Sequence, residues 1–300
     1  MDDDMAALDP VTRLFEVELE STQVNTESEA EPEQVVKEKV LKLSCHIDNN
    51  NNPINNLQDG LQISLSGELE KFSEVLGRNA IYKKKSCVHK LPSYLCVQFV
   101  RFYWKKESNV GGTKAGKAKI LRSVMYPKVF DVYNFCSDEL KKSLDHGREF
   151  EAKLREEEDR KRLEGIAQAE EASKPKDDEG KDKKETQDEE RDRKRLVGAA
   201  AKKQMQLEED KLHDEVLYRP HGVGLDTGNY ELVAVVTHKG RSADGGHYVG
   251  WVHAAGDQWL CFDDDIVTPA KTDDILALRG GGDWHTAYLC IYRKLEATKM

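Results

Sequence analysis

A metal knuckle, a disulfide framework and a membrane span are all missing from these 300 residues. The six cysteines stand at positions 45, 87, 96, 136, 261 and 290, and no two of them form a Cys-x-x-Cys pair. That spacing fits neither a zinc ribbon nor a secreted disulfide scaffold, so no metal and no other cofactor is expected. No run of about 18 apolar residues exists, which excludes a membrane-spanning helix. The opening Met1-Asp-Asp-Asp has neither the basic nor the apolar stretch of a secretory signal. A reducing cytoplasmic or nuclear setting is therefore expected. A basic surplus is missing too: 46 Lys and Arg stand against 56 Asp and Glu, a formal net charge of −10. Phosphate backbones need the opposite sign, so nucleic acid is not the expected partner, whereas a basic protein surface is compatible.

What is present is unevenly distributed. Charged residues make up 34% of the chain, and residues 138–215 hold a dense share of them. Residues 149–172 are rich in Glu, Lys, Arg and Ala, 174–192 carry almost no apolar side chains, and 193–214 return to helix-forming types. This reads as a charged insertion, helical at its flanks and unstructured in the middle, with no sustained heptad. It interrupts two β-rich parts, which leaves roughly 200 residues to build a core. The expected organisation is a leader over 1–12, β-rich parts over 13–137 and 216–295 around the insertion, and a tail over 296–300.

In the first part, alternation over 13–23 (Phe15, Val17, Leu19) and the segment 40–47 read as strands. Residues 49–53 read as a turn, while 57–76 give no clear period. The run Tyr94-Leu-Cys-Val-Gln-Phe-Val-Arg-Phe102 reads as a strand buried on both faces. Residues 105–119 read as a basic loop and 126–133 as an extended segment. In the second part, residues 230–238, 246–252, 259–262 and 287–292 are four strands separated by glycine-rich turns, which predicts a mainly antiparallel sheet.

One hairpin carries the chemistry. If the turn joining 248–252 to 259–262 centres near Ala255, His247 and Asp263 fall opposite one another at its open end. Alternation puts Asp263 and Asp265 on one face and Asp264 on the other, so Asp263 is the better partner by register and Asp264 the second candidate. An imidazole oriented by a carboxylate is what a cysteine nucleophile needs to lose its proton and return it to a leaving amine. Gly246 would let a substrate backbone approach closely. His238, nine residues before His247, reads as structural, Trp251, Trp259 and Trp284 as core aromatics, and the basic residues 114–119 as a solvated loop.

The pattern Tyr230-x-Leu-x-Ala-Val-x-x-His238-x-Gly240, followed after five residues by Gly246-His247-Tyr248, resembles the histidine box of ubiquitin-specific proteases. Trp259-Leu-Cys-Phe-Asp-Asp-Asp265 is similar to the segment bearing that family's third triad member. Residues 91–102 resemble its Leu-Pro…Arg-Phe strand, and 278–288 resemble the closing segment of the proteasome-associated branch. Further matches at 15–19, 41–45 and 78–82 spread the likeness over most of the chain outside the insertion. The resemblance implies an α+β, papain-like cysteine protease of right-hand shape, of which palm and fingers are represented here. It implies His247 as general base and acid and Asp263 (or Asp264) as its orienting carboxylate. Arg101, Phe102, Arg241, Gly245, Gly246 and Tyr248 would belong to loops over the channel for ubiquitin's C-terminal tail, with strands between 13 and 90 forming the fingers. It implies ubiquitin and ubiquitinated proteins as partners and the 26S proteasome as a docking site. The family's nucleophile sits in an Asn-Thr-Cys box, and no cysteine here has such neighbours. A hydrolase by family, the chain alone is expected to be inactive, or to serve as a ubiquitin- or proteasome-binding homologue. With its packing partners missing, it is also expected to expose apolar sheet faces and to aggregate.

Overall fold

The computed structural model describes residues 9–47, 53–105, 116–172, 224–242, 245–282 and 284–297. Two antiparallel systems share one core. The smaller is a four-stranded sheet in the order β2-β1-β5-β4, made of β1 (Val17–Asn25), β2 (Gln34–Val40), β4 (Ser66–Ser73) and β5 (Arg78–Lys90). The larger follows the order β13-β12-β11-β10-β14-β6-β3, with β9 attached to β10. Its strands are β3 (Leu43–His46), β6 (Tyr94–Val100), β9 (Val129–Asp131), β10 (Leu225–Ser242), β11 (Gly245–Ala255), β12 (Gln258–Asp263), β13 (Ile266–Lys271) and β14 (Thr286–Ala297). Among the described residues, only the β3–β6 pairing in it is parallel. A separate two-stranded ribbon joins β7 (Phe102–Lys105) to β8 (Gly116–Lys119). The architecture is thus mixed α/β with mostly antiparallel sheets, as expected from sequence.

The core forms on one face of the large sheet. Leu95, Val97 and Phe99 of β6 and Cys290 and Tyr292 of β14 point inward. They meet Leu57 and Leu61 of α2 (Leu57–Ser64), Tyr126, Phe130 and Phe135 of the connecting segment, Leu144 of α3 (Asp138–Ala172) and Ile275 of α4 (Thr272–Ala277). The opposite face is only partly covered: β6 alternates half-buried with buried residues, so it is not the doubly buried strand its composition suggested. A short helix α1 (Pro10–Phe15), capped by Asp9, lays Phe15 against Tyr94 of that outer face with ring centroids 5.9 Å apart.

Several sequence expectations shift. The leader's end and residues 13–15 are helical, because the Asp9 carboxylate and Pro10 start a helix before the β-alternation takes over at Val17. The unclear segment 57–76 resolves into α2 and β4. Segment 40–47 breaks after Val40, so that β3 leaves the fingers and carries Cys45 into the large sheet. The final strand runs to Ala297, two residues into the expected tail. β13 went unread because its side chains are almost all exposed and Pro269 argues against an interior strand; as the edge strand it tolerates proline.

The helical first flank of the insertion is α3, longer than read. Its first turns pack closely: a β-carbon on Gly147 would lie 2.1 Å from the Asp226 carbonyl oxygen, so glycine is what lets the helix cross β10 there. Arg148 donates to both carboxylate oxygens of Asp131, at 3.0 and 2.5 Å, and lies over the Tyr133 ring. From Ala152 through Ile166 the side chains are exposed, with only Leu154 half-covered. The middle and second flank of the insertion lie outside the described residues.

Candidate active site

The site is built on β11, β12 and the two turns flanking β12. Gly256 and Asp257 form a two-residue loop between Ala255 and Gln258, with Gly256 at φ +57°, a conformation that glycine adopts without steric cost at the first position of a hairpin turn. The turn therefore centres on Gly256 and not Ala255. That displacement moves every cross-strand partner by two positions. Gly250 pairs with Phe262 and His253 with Trp259, and continuing the register sets Asp263 opposite Val249. His247 and Asp263 are diagonal neighbours, not a directly opposed pair. Because the displacement is an even number of residues, both side chains stay on the same face, and diagonal neighbours are within reach of long side chains.

On that face, His247 Nε2 contacts Asp263 Oδ1 in a short charge-assisted hydrogen bond. Asp264, the second candidate, occupies the tight turn into β13 at φ +52°, a conformation aspartate tolerates better than most residues. Its carboxylate does not point away: ligand atoms of His247, Asp263 and Asp264 all lie within 4.8 Å of one another. The hydrogen bond to Asp263 raises the His247 pKa above the ordinary histidine value; burial opposes it, and the charges of Asp263 and Asp264 add to it. The bond through Nε2 leaves Nδ1 as the nitrogen that can exchange a proton with a third group. Both side chains of the pair are close to half exposed, 42% and 47%, so the dyad is open to solvent.

A second imidazole, absent from the sequence reading, stands beside the first. His285 lies 6.4 Å from His247 between ring centroids, and its Nδ1 is 3.3 Å from Thr237 Oγ1. That hydroxyl also accepts from Trp251 Nε1 at 3.0 Å. Burial, reinforced by Lys239, depresses the His285 pKa. The only sequence signal for His285 was its place in the Asp-Trp-His run of 283–285. Trp284 beside it is no core residue: it is 65% exposed, with the Lys239 ammonium 4.6 Å from its ring centre. Trp259 is buried as expected.

The loop residues divide. Phe102 and Tyr248 pack about His238, at 5.4 and 4.7 Å between ring centroids, and both meet Tyr288. Gly245 and Gly246 are exposed beside the dyad. Arg241 lies in β10, and its side chain is outside the described residues, as are residues 243–244. Arg101 is not a surface loop residue. It is 1% exposed and donates to the carbonyls of Ala287, Ile120, Arg122 and Arg279 at 2.8–3.3 Å, tying together β6, β14 and the segments beside the ribbon. Lys119, read as part of a solvated loop, is buried and donates to the His238 carbonyl at 2.6 Å.

None of the six thiols can serve this histidine. All are free, and burial raises every one of them, Cys45 and Cys136 to about 12. Among the described residues no cysteine sulfur joins the His247–Asp263 cluster.

The chain matches the family model described as ubiquitin carboxyl-terminal hydrolase over residues 2–292. Ubiquitin carboxyl-terminal hydrolase 6 of Arabidopsis thaliana is 41% identical over 285 residues, covering 95% of this chain and 53% of that protein. Ubiquitin carboxyl-terminal hydrolase 14 of Caenorhabditis elegans is 32% identical over 289 residues, covering 94% and 50%. The chain thus spans about half the length of the curated relatives it matches. Among solved structures, the SAGA Ubp8/Sgf11/Sus1/Sgf73 DUB module bound to ubiquitin aldehyde aligns with a TM-score of 0.51 at 19% identity, over 96% of this chain and 43% of that one; that likeness speaks for the fold alone. On the family match and the 41% identical relative, this chain belongs to the ubiquitin carboxyl-terminal hydrolase family.

Proposed function

We propose that this chain carries the proton-handling half of a cysteine-type deubiquitinase that cleaves (iso)peptide bonds after the C-terminal glycine of ubiquitin. The observation behind this reading is the His247–Asp263 contact on adjacent strands. In it, Asp263 holds the imidazole and stabilises its cationic form, and Asp264 adds negative charge to the same ring. His247 Nδ1 takes the proton of a thiol presented by polypeptide beyond this chain. The thiolate attacks the carbonyl carbon, the C–N bond breaks, and His247 returns the proton to the departing amine. Water, deprotonated by the same ring, then resolves the thioester to a free carboxylate and a thiol. The substrates are ubiquitin and ubiquitin-conjugated proteins, in the cytoplasm or nucleus, and the likeness of 278–288 to the proteasome-associated branch makes the 26S proteasome a docking partner.

The test is complementation. The chain is co-expressed with the N-terminal half of the 41% identical Arabidopsis relative, and release of a fluorophore from the ubiquitin C-terminus is measured. Activity is expected with the wild-type chain and its loss with His247→Ala; equal rates would remove the assignment. A second reading, a ubiquitin-binding module without hydrolysis, is favoured by the six unsuitable thiols. Binding of ubiquitin by an inactive complemented protein would select it.

A further inference from the structure

His238 is the least comfortable side chain near the site. It is 1% exposed, and among the described residues neither ring nitrogen has a hydrogen-bond partner. A buried polar ring without partners costs stability that a phenylalanine or leucine would avoid, so its presence here calls for a local reason. The glycines above it supply one. A β-carbon on Gly246 would lie 2.3 Å from His238 Nε2 and 2.4 Å from the Lys239 carbonyl oxygen. The Gly246 backbone, at φ +152°, therefore rests directly on the imidazole. Gly240 adjoins it: a β-carbon there would lie 3.0 Å from the Gly246 Cα and 3.4 Å from His238 Cε1. In the β10–β11 ladder His238 pairs with Tyr248 and Lys239 with His247, so the ring lies beneath the two residues that flank His247.

We propose that His238 is a positioning residue, a flat prop under Gly246 that sets the height of the β11 strand start and so brings His247 within hydrogen-bonding reach of Asp263. The inference rests on the dyad reading above. A planar ring suits the task because a tetrahedral branched side chain would meet the Gly246 backbone. Phe102 edge-on at 80° and Tyr248 hold the ring in place, and Lys119 fixes the backbone through the His238 carbonyl. The ring is held neutral: burial depresses its pKa, and the cation of Lys119 and the imidazole of His285 work in the same direction. Tyr248 is the other titratable group packed on it, and it too is shifted against ionisation by burial.

The experiment uses the chain itself, so it needs no nucleophile. Histidine ring signals are titrated by NMR, and amide exchange is followed at 246–249, in wild type and in His238→Ala, His238→Leu and His238→Phe. In wild type, His247 titrates above the ordinary histidine range. In His238→Ala and His238→Leu its midpoint falls back toward that range, and exchange at 246–249 speeds up by about tenfold or more. His238→Phe, which restores the flat ring without its nitrogens, keeps both wild-type readings. His238→Leu keeps the test open if the alanine variant does not fold, since it retains most of the buried volume. An unchanged His247 titration in a folded Ala or Leu variant overturns the prop. A wild-type His247 that titrates as an ordinary histidine overturns the dyad itself, a different result from the first.

Discussion

Replacing Arg101 by methionine tests how the palm is held together. The guanidinium is 1% exposed, and burial pulls its pKa down to about 10. That drop from the ordinary arginine value corresponds to about 3 kcal/mol of desolvation, which methionine would not incur. Against it stand the bonds to the carbonyls of Ala287, Ile120, Arg122 and Arg279. Hydrogen bonds to a charged group contribute about 1.5–3 kcal/mol each, and buried carbonyls left without a donor keep most of that penalty. Even at the low end the four bonds, about 6 kcal/mol together, exceed the desolvation cost and leave a net loss of about 3 kcal/mol, a large fraction of a domain's stability. For a core of this size that lowers the melting temperature by roughly 6–12 °C. Arg101→Lys is expected to rescue little, because one ammonium cannot reach four carbonyls fanned around a planar fork. Differential scanning calorimetry reads both variants. A methionine variant melting within about 3 °C of wild type would mean that the carbonyls find other donors and that the hub reasoning is wrong.

Asp263→Asn removes the largest cause of the raised His247 pKa, the hydrogen bond to the carboxylate. A raised histidine pKa favours the cation, so the acid limb of the complemented enzyme's pH–rate profile lies above that of an ordinary histidine; the Asn variant moves it to lower pH and slows the plateau, while Asp264→Asn moves it less. An unshifted limb in Asp263→Asn would assign the carboxylate role elsewhere. Buried thiols pushed up to about 12 predict that Cys45 and Cys136 resist a disulfide reagent at pH 8 in the folded chain, with all six reacting in denaturant; rapid native labelling of either contradicts their burial. The outer sheet face exposes Val252, Leu260, Phe262 and Val267 side by side on β11–β13, so the chain is expected to self-associate with rising concentration and Phe262→Lys with Val267→Lys to reduce this without lowering the melting temperature. A chain sedimenting as a monomer at all concentrations would show that the patch is harmless.

What could be read in advance depended on how local each interaction was. Apolar alternation on β1, β10, β11 and β14 reports burial on one face of a sheet, so those strands were legible. β13 and α2 were not: the first buries almost nothing, and the second has one turn of apolar contacts, Leu57 and Leu61, in an otherwise polar segment. Arg101 was misplaced for a different reason. The family resemblance set it in a channel loop, and only tertiary structure can supply four carbonyls 19 to 186 residues away. Trp284 was misplaced in the reverse sense: aromatic composition signals burial, yet the chain turns it outward beside the histidines.

The dyad survived a mistaken turn, and the reason is geometrical. Residues on an antiparallel hairpin keep their faces as long as the error in the sum of paired positions is even, and misplacing a turn centre by one residue changes that sum by two. An error of one residue in loop length would have been odd, and it would have put Asp264 on the His247 face and Asp263 on the other. The sequence has its own guard against that outcome, because Trp259 and Cys261 must both point into the core, which fixes the parity of β12 independently of the turn. Asp263 inherits its face from those two side chains. Core packing two and four residues upstream thereby aims the carboxylate at the histidine, and Trp259→Ser is expected to weaken the His247–Asp263 contact even though it touches neither partner. The His247 titration midpoint reads that effect directly, and a midpoint unmoved by the loss of Trp259 in a folded chain would show that the turn alone, not the core, aims the carboxylate.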